Sequence, residues 1–205
     1  MEAEPGCPGA AKDSDRHLGK HSLVSYVPGE LGEAITALRR QLVKGCNARS
    51  HVTVLPPRRI RADEAEAVEF LRRKLEGCPP FEIEFLDVAT FENNPTVIYA
   101  QIGQGLQELL QLHERLHCGP VDGVQEFRYH PHLTLAQGLD PSEIETRLEQ
   151  IRPIWRELAY GRRYLVTNLT FVRNIGGECW IDVADFPLAP VASPSVERPG
   201  VAVRL

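Results

Sequence analysis

Apolar and polar residues alternate along this chain in short runs, and helically spaced stretches separate those runs. His21–Val27 reads as a strand, and Glu30–Val43 as a helix through Leu31, Ala34, Ile35, Leu38 and Leu42, with Gly45 as its stop. Ser50–Leu55 alternates again and is ended by Pro56-Pro57. Asp63 followed by Glu66 forms a capping box for a helix that turns Ala67, Phe70, Leu71 and Leu75 inward and stops at Gly77. Phe81, Ile83 and Phe85 alternate with Glu82 and Glu84, which predicts a half-exposed strand over Phe81–Phe91. Asn93-Asn94-Pro95 is a turn signal, so Thr96–Ile102 closes a hairpin.

A helix from about Gln104 to His117 follows on Leu106, Leu109, Leu110 and Leu116. Pro131–Gln137 is a further strand. Asp140-Pro141-Ser142-Glu143 starts a helix that runs to about Trp155. Arg163–Val172 and Glu178–Asp185 flank Asn174-Ile175-Gly176-Gly177 as a second hairpin. The order strand, helix, strand, helix, hairpin thus occurs twice, the second time from Thr96. Hairpins favour antiparallel sheets covered by helices, an α+β fold. Two such units related by a pseudo-twofold axis would bring Ser50–Leu55 and Pro131–Gln137 together.

Composition adds boundaries. Residues 1–18 and 189–205 have the makeup of flexible tails, which leaves 19–188 as the folded domain. With 42% hydrophobic and 25% charged residues, the chain is ordinary globular material. A net charge of -5 argues against a grip on long duplex nucleic acid, which needs a basic surface. A small or terminal phosphorylated ligand is compatible with it. No apolar run is long enough to cross a membrane, and the N-terminal stretch has no apolar leader core. Cys7, Cys46, Cys78, Cys118 and Cys179 show neither a CxxC nor a disulfide spacing, so reduced thiols and a cytoplasmic location are expected. A monomer is expected as well.

The chemistry lies in a repeated tetrad, His51-Val52-Thr53-Val54 and His132-Leu133-Thr134-Leu135. On a strand, each imidazole and its hydroxyl share one face while the aliphatic residues share the other. Opening a phosphodiester needs a base for the attacking oxygen and an acid for the leaving oxygen. Imidazole serves as either near neutral pH. Hydroxyls can donate to the non-bridging oxygens, where charge gathers. Such a site requires no metal or other cofactor.

Ser50-His51-Val52-Thr53-Val54-Leu55-Pro56 and Tyr129-His130-Pro131-His132-Leu133-Thr134-Leu135-Ala136 resemble the two motifs of the two-histidine (2H) phosphoesterases, in particular the LigT-like 2'-5' RNA ligases and cyclic phosphodiesterases. The resemblance covers about residues 21–187. It implies two lobes around a central cleft, with His51, Thr53, His132 and Thr134 facing one another. It implies further that His132 activates water and His51 protonates the leaving ribose oxygen, with the roles reversed in ligation. The implied substrate is a 2',3'-cyclic phosphate, a related nucleotide or an RNA end. LigT-like members commonly carry Arg where this chain has Gln137, so a charge-assisted phosphate contact becomes a neutral one here. Arg58 is a candidate replacement, and Tyr129 and His130 are candidate contacts to a base or ribose. The departure at Gln137 keeps open a non-catalytic nucleotide or RNA-end binding module on the same scaffold.

A rival motif is His113-Glu114-Arg115-Leu116-His117, an H-E-x-x-H sequence of the kind zinc peptidases use. Its extended form fails, because the later glycine falls one place early at Gly119 and no third histidine follows. Leu106, Leu109 and Leu110 share the helical face of both histidines, which favours a packing role.

Overall fold

The computed structural model describes residues 17–91, 94–125, 127–158 and 161–189. The tails expected at 1–18 and 189–205 lie outside the described residues, except for 17, 18 and 189. Among the described residues eight strands form one sheet: β1 (His21–Tyr26), β2 (His51–Arg58), β3 (Phe81–Phe91), β4 (Asn94–Ile102), β5 (His132–Ala136), β6 (Arg163–Val166), β7 (Asn168–Gly176) and β8 (Cys179–Pro187). The α-helices among the described residues are α1 (Gly29–Leu42), α2 (Glu64–Leu75), α3 (Leu106–Leu116) and α4 (Ile144–Arg156). The strand order is β6-β3-β4-β5-β2-β1-β7-β8, and every pairing is antiparallel.

The order is symmetric about its centre. β5-β4-β3-β6 forms one half and β2-β1-β7-β8 the other, and β2 and β5 meet in the middle. Each half takes strands from the other half of the sequence, β3 in one case and β7 with β8 in the other. β3 follows α2 but pairs with β4, whereas β7 follows α4 but pairs with β1. The helices cross over as well, since α1 packs on β5 and α3 on β2. This is the expected α+β architecture of two pseudo-symmetric lobes, built on one continuous, curled sheet.

Thr167 alone separates β6 from β7, so a single extended stretch serves both halves. Its first part pairs with β3 and its second with β1. The sheet curls far enough for the Tyr164 hydroxyl of β6 to donate to Ser25 Oγ of β1 at 3.1 Å. Burial among apolar groups raises the Tyr164 phenol pKa, so it stays a donor.

Local sequence explains the element boundaries. The Asp63 side chain accepts from Glu66 N at 2.8 Å, the N-cap half of the expected capping box. Asp140 caps a short 3-10 turn over Pro141–Glu143 that leads into α4. Gly105 precedes α3 at φ 86°, and a Cβ there would meet the Glu82 carbonyl, so only glycine fits. One boundary differs from the sequence reading. β2 continues through Pro56-Pro57 to Arg58, which pairs with His21 across a bulge in β1–β2, and bulges tolerate proline. Cys46, Cys78 and Cys118 are free thiols, whereas Cys179 is disulfide-bonded, which the cysteine spacing did not predict. Among the described residues no helix is long and apolar enough to cross a membrane.

Candidate active site

β2 and β5 pair with Val52 opposite Leu133. One step along each strand sets His51 across from Thr134 and Thr53 across from His132. The four side chains therefore form a four-cornered patch on one face, with each histidine diagonal to the other. On the opposite face Val52, Val54, Leu133 and Leu135 are completely buried. The strict two-residue period of each tetrad produces this division, with reactive groups on one side and core on the other.

Both imidazoles are held alike. His51 Nδ1–H donates to the carbonyl of Arg49 at 2.7 Å, and His132 Nδ1–H donates to the carbonyl of His130 at 2.7 Å. A ring that spends Nδ1–H on a carbonyl carries its lone pair on Nε2. Burial disfavours the charged form of both rings. It pushes His51 down to about 4, against the carbonyl of Arg49, with Arg39, His132 and Arg49 adding repulsion. His132 is also lowered, first by burial and then by His130, again against its carbonyl bond. Both rings are thus neutral at pH 7 in the unliganded protein, and an arriving phosphate anion would raise both.

The flanks differ in chemistry. On the His51 side, Tyr26 lies opposite His51 in the β1–β2 register, and the two rings meet edge to face at 6.4 Å. The Tyr26 hydroxyl donates to Asp182 Oδ1 at 2.7 Å, and Arg49 stacks its guanidinium 3.6 Å above the Tyr26 ring while donating to Asp182 Oδ2 at 3.2 Å. On the His132 side, Phe91 and Tyr99 stack at 4.2 Å, and the rings of His130 and His132 stand steeply to both, with centroids 5.2 to 5.4 Å away. Arg39 on α1 is buried, and its Nε and Nη1 have no hydrogen-bond partner among the described residues. Tyr26, Arg49, Phe91, Tyr99, Asp182 and Arg39 escaped sequence reasoning. Cross-strand register sets Tyr26 opposite His51 and Tyr99 opposite Thr134, and none of the six carries a local motif.

The remaining candidates scatter. His130 joins the aromatic group and is exposed. Gln137 is exposed, one residue past β5. Tyr129 donates its hydroxyl to the Thr53 carbonyl at 2.7 Å and stacks on His113 at 3.8 Å, so it ties β2 to the segment before β5. Arg58 is buried at the far end of β2, where Nε donates to the Pro56 carbonyl at 2.9 Å and Nη1 donates to His117 Nδ1 at 2.7 Å. The structure does not bring Arg58 to the histidine patch.

The H-E-x-x-H histidines belong to the packing between α3 and β2. His113 Nδ1–H donates to the Val54 carbonyl at 2.8 Å, and His113 Nε2 accepts from the Gln125 amide at 2.6 Å. Both nitrogens are spent, which leaves no lone pair for a metal. The Val54 carbonyl needs this donor because the β1–β2 register slips between Leu23↔Leu55 and Val24↔Thr53. Among the described residues no group of three His, Cys, Asp or Glu is arranged to hold a metal ion.

Comparison with known proteins agrees with this arrangement. A protein of Oceanobacillus iheyensis whose name designates it a candidate phosphoesterase is 36% identical over 94 residues, which span 44% of this chain and 55% of that relative. The chain thus matches about half of that relative's length. A similarly named protein of Staphylococcus aureus strain Newman is 28% identical over 121 residues, 58% of this chain and 71% of the relative. Among solved structures, E. coli LigT in its apo form superposes with a TM-score of 0.56 at 17% identity, over 83% of this chain and 97% of that one. TT0787 of Thermus thermophilus gives a TM-score of 0.56 at 19% identity, over 83% and 98%. These two likenesses establish the fold. The model of the 2'-5' RNA ligase superfamily matches residues 27–178, a span that contains both tetrads. By that match the chain belongs to the 2'-5' RNA ligase superfamily of two-histidine phosphoesterases.

Proposed function

We propose that this protein is a metal-independent phosphodiesterase that opens 2',3'-cyclic phosphates or related nucleotide phosphodiesters by two-histidine acid–base catalysis. The observation that carries the proposal is the matched pair of imidazoles on adjacent strands, each with Nδ1–H tied to a carbonyl and Nε2 left for chemistry. Crystals of E. coli LigT with phosphate and with 3'-AMP lend support, because ligands of this class bind the same fold.

In the hydrolytic direction His132 Nε2 takes a proton from water as its oxygen attacks phosphorus. The bond from phosphorus to the ribose oxygen breaks, and protonated His51 delivers its proton to that oxygen. Thr53 and Thr134 donate to the non-bridging oxygens as charge builds there. The product is a phosphomonoester. Run in reverse, with a 5'-hydroxyl as nucleophile, the same groups would join RNA ends. The proposed partner is a small nucleotide or RNA end.

Turnover of a panel of nucleoside 2',3'-cyclic phosphates in excess EDTA tests the reading. We expect monoester product with undiminished rate, and Thr53→Val or Thr134→Val should each lower kcat by roughly 10²-fold or more. No product from any member of the panel would sink the proposal. Exposed, uncharged Gln137 favours a second reading, a nucleotide-binding module without catalysis. Saturable binding of the panel with no turnover would establish that one instead.

A pH profile gives an independent check. The working form needs one imidazole protonated and the other neutral. Both pKa values lie below the ordinary imidazole value of about 6.5 in the free protein. That form is therefore most populated on the acid side, so kcat/KM should follow a bell centred below about pH 6.5. Bound phosphate favours imidazolium, so the kcat bell should lie at higher pH than the kcat/KM bell. A kcat/KM maximum in the alkaline range would contradict the assignment.

A further inference from the structure

A cavity of about 250 Å³ is lined in part by Tyr26, Arg49, Asn168, Thr170, Asp182 and Asp185. Two of its walls also build the catalytic site. Tyr26 meets the His51 ring edge to face, and the Arg49 carbonyl orients that ring. A group filling the cavity would therefore contact the two residues that touch His51, whereas Phe91 and Tyr99, which touch His132, are not among its walls.

The charges in the cavity are unequal. Asp182 is fully engaged, with one oxygen on the Tyr26 hydroxyl and the other on Arg49. Asp185 Oδ1 accepts from the Thr170 hydroxyl at 2.7 Å and from the Asn168 amide at 2.8 Å, both neutral donors. Asp185 Oδ2 has no hydrogen bond among the described residues. One cation against two carboxylates leaves the cavity net negative, with a fixed acceptor that neutral neighbours hold in place. Such a wall welcomes a hydroxyl or amine donor and repels a second phosphate.

The geometry points to this cavity as the subsite for the leaving alcohol of the phosphodiester, selecting a neutral sugar or nucleoside that donates to Asp185 and rejecting one that carries an additional phosphate. The inference rests on the proposed reading, in which His51 protonates the leaving oxygen.

The wild-type protein should turn over adenosine 2',3'-cyclic phosphate with a kcat/KM about tenfold or more above that of its 5'-phosphorylated counterpart. In Asp185→Asn the bonds to Thr170 and Asn168 can persist through Oδ1, while the charge and the free acceptor are lost. KM for the 5'-hydroxyl substrate should then rise about tenfold with little change in kcat, and discrimination against the 5'-phosphate should collapse. Equal use of the two substrates by the wild type, or unchanged KM in a folded Asp185→Asn protein, would overturn the subsite. If the wild type turns over no cyclic phosphate, the two-histidine reading fails, and calorimetric titration with adenosine 3'-monophosphate decides the subsite alone. Binding about tenfold weaker in Asp185→Asn than in the wild type supports it, and equal affinities overturn it.

Discussion

Replacing either His51 or His132 by alanine should lower kcat/KM by about 10²–10⁴-fold, the usual contribution of a positioned general acid or base. The fold should survive. Each ring is half-buried on the face opposite the core, and its hydrogen bond is to a carbonyl two residues away. The aliphatic residues that hold β2 against β5 are untouched. The double variant should be hardly slower than the worse single one, because an acid without its base does little and the two act as a unit. Steady-state kinetics with circular dichroism on the same samples reads both expectations. Turnover within tenfold of the wild type in either variant would remove the histidines from the mechanism.

The largest effect on stability is expected at Trp155. Its side chain is completely buried on α4, donates Nε1–H to the Leu86 carbonyl at 2.7 Å and meets Phe85 edge to face at 6.2 Å. Trp155→Ala removes the largest fully buried side chain and leaves a carbonyl without its donor. A loss of roughly 3–5 kcal/mol is expected. For a domain of this size that corresponds to about 10 °C in melting temperature. The proposed catalytic patch lies on other elements, so kcat measured well below the transition should stay close to wild type. A shift of only a degree or two in thermal unfolding would show that α4 contributes little to the core.

Much of the architecture was legible because each element carries its own periodicity. Ile83 and Phe85 are buried as their alternation demands, while Glu84 pairs with Arg163 on the neighbouring strand. The capping residues Asp63 and Asp140 sit where their spacing put them. The two tetrads were legible for the same reason, since a period of two sorts His and Thr from Val and Leu without knowledge of the partner strand. Long-range register was not legible. Nothing local in Tyr26 or Asp182, 156 residues apart, says that one hydroxyl will find the other's carboxylate. Nor does the run from Arg163 to Val172 announce that Thr167 divides it between two partners. Arg58 shows the limit of proximity in sequence. It stands seven residues after His51, yet the strand carries it to the far end of β2 and into a bond with His117.

The exchange of β3 and β7 between the two halves bears on how such a protein could move. In a clamshell enzyme two self-contained bodies swing on a linker, and the reactive groups meet only when the shell closes. Here each half is stitched into the other by a strand it does not own, and the two share a ladder at β2–β5. A wide swing would have to tear backbone hydrogen bonds on several strands at once. The distance between the two imidazoles is therefore set when the chain folds, before any ligand arrives. On the proposed mechanism, the cost of aligning acid with base falls on folding and is not repeated at each turnover.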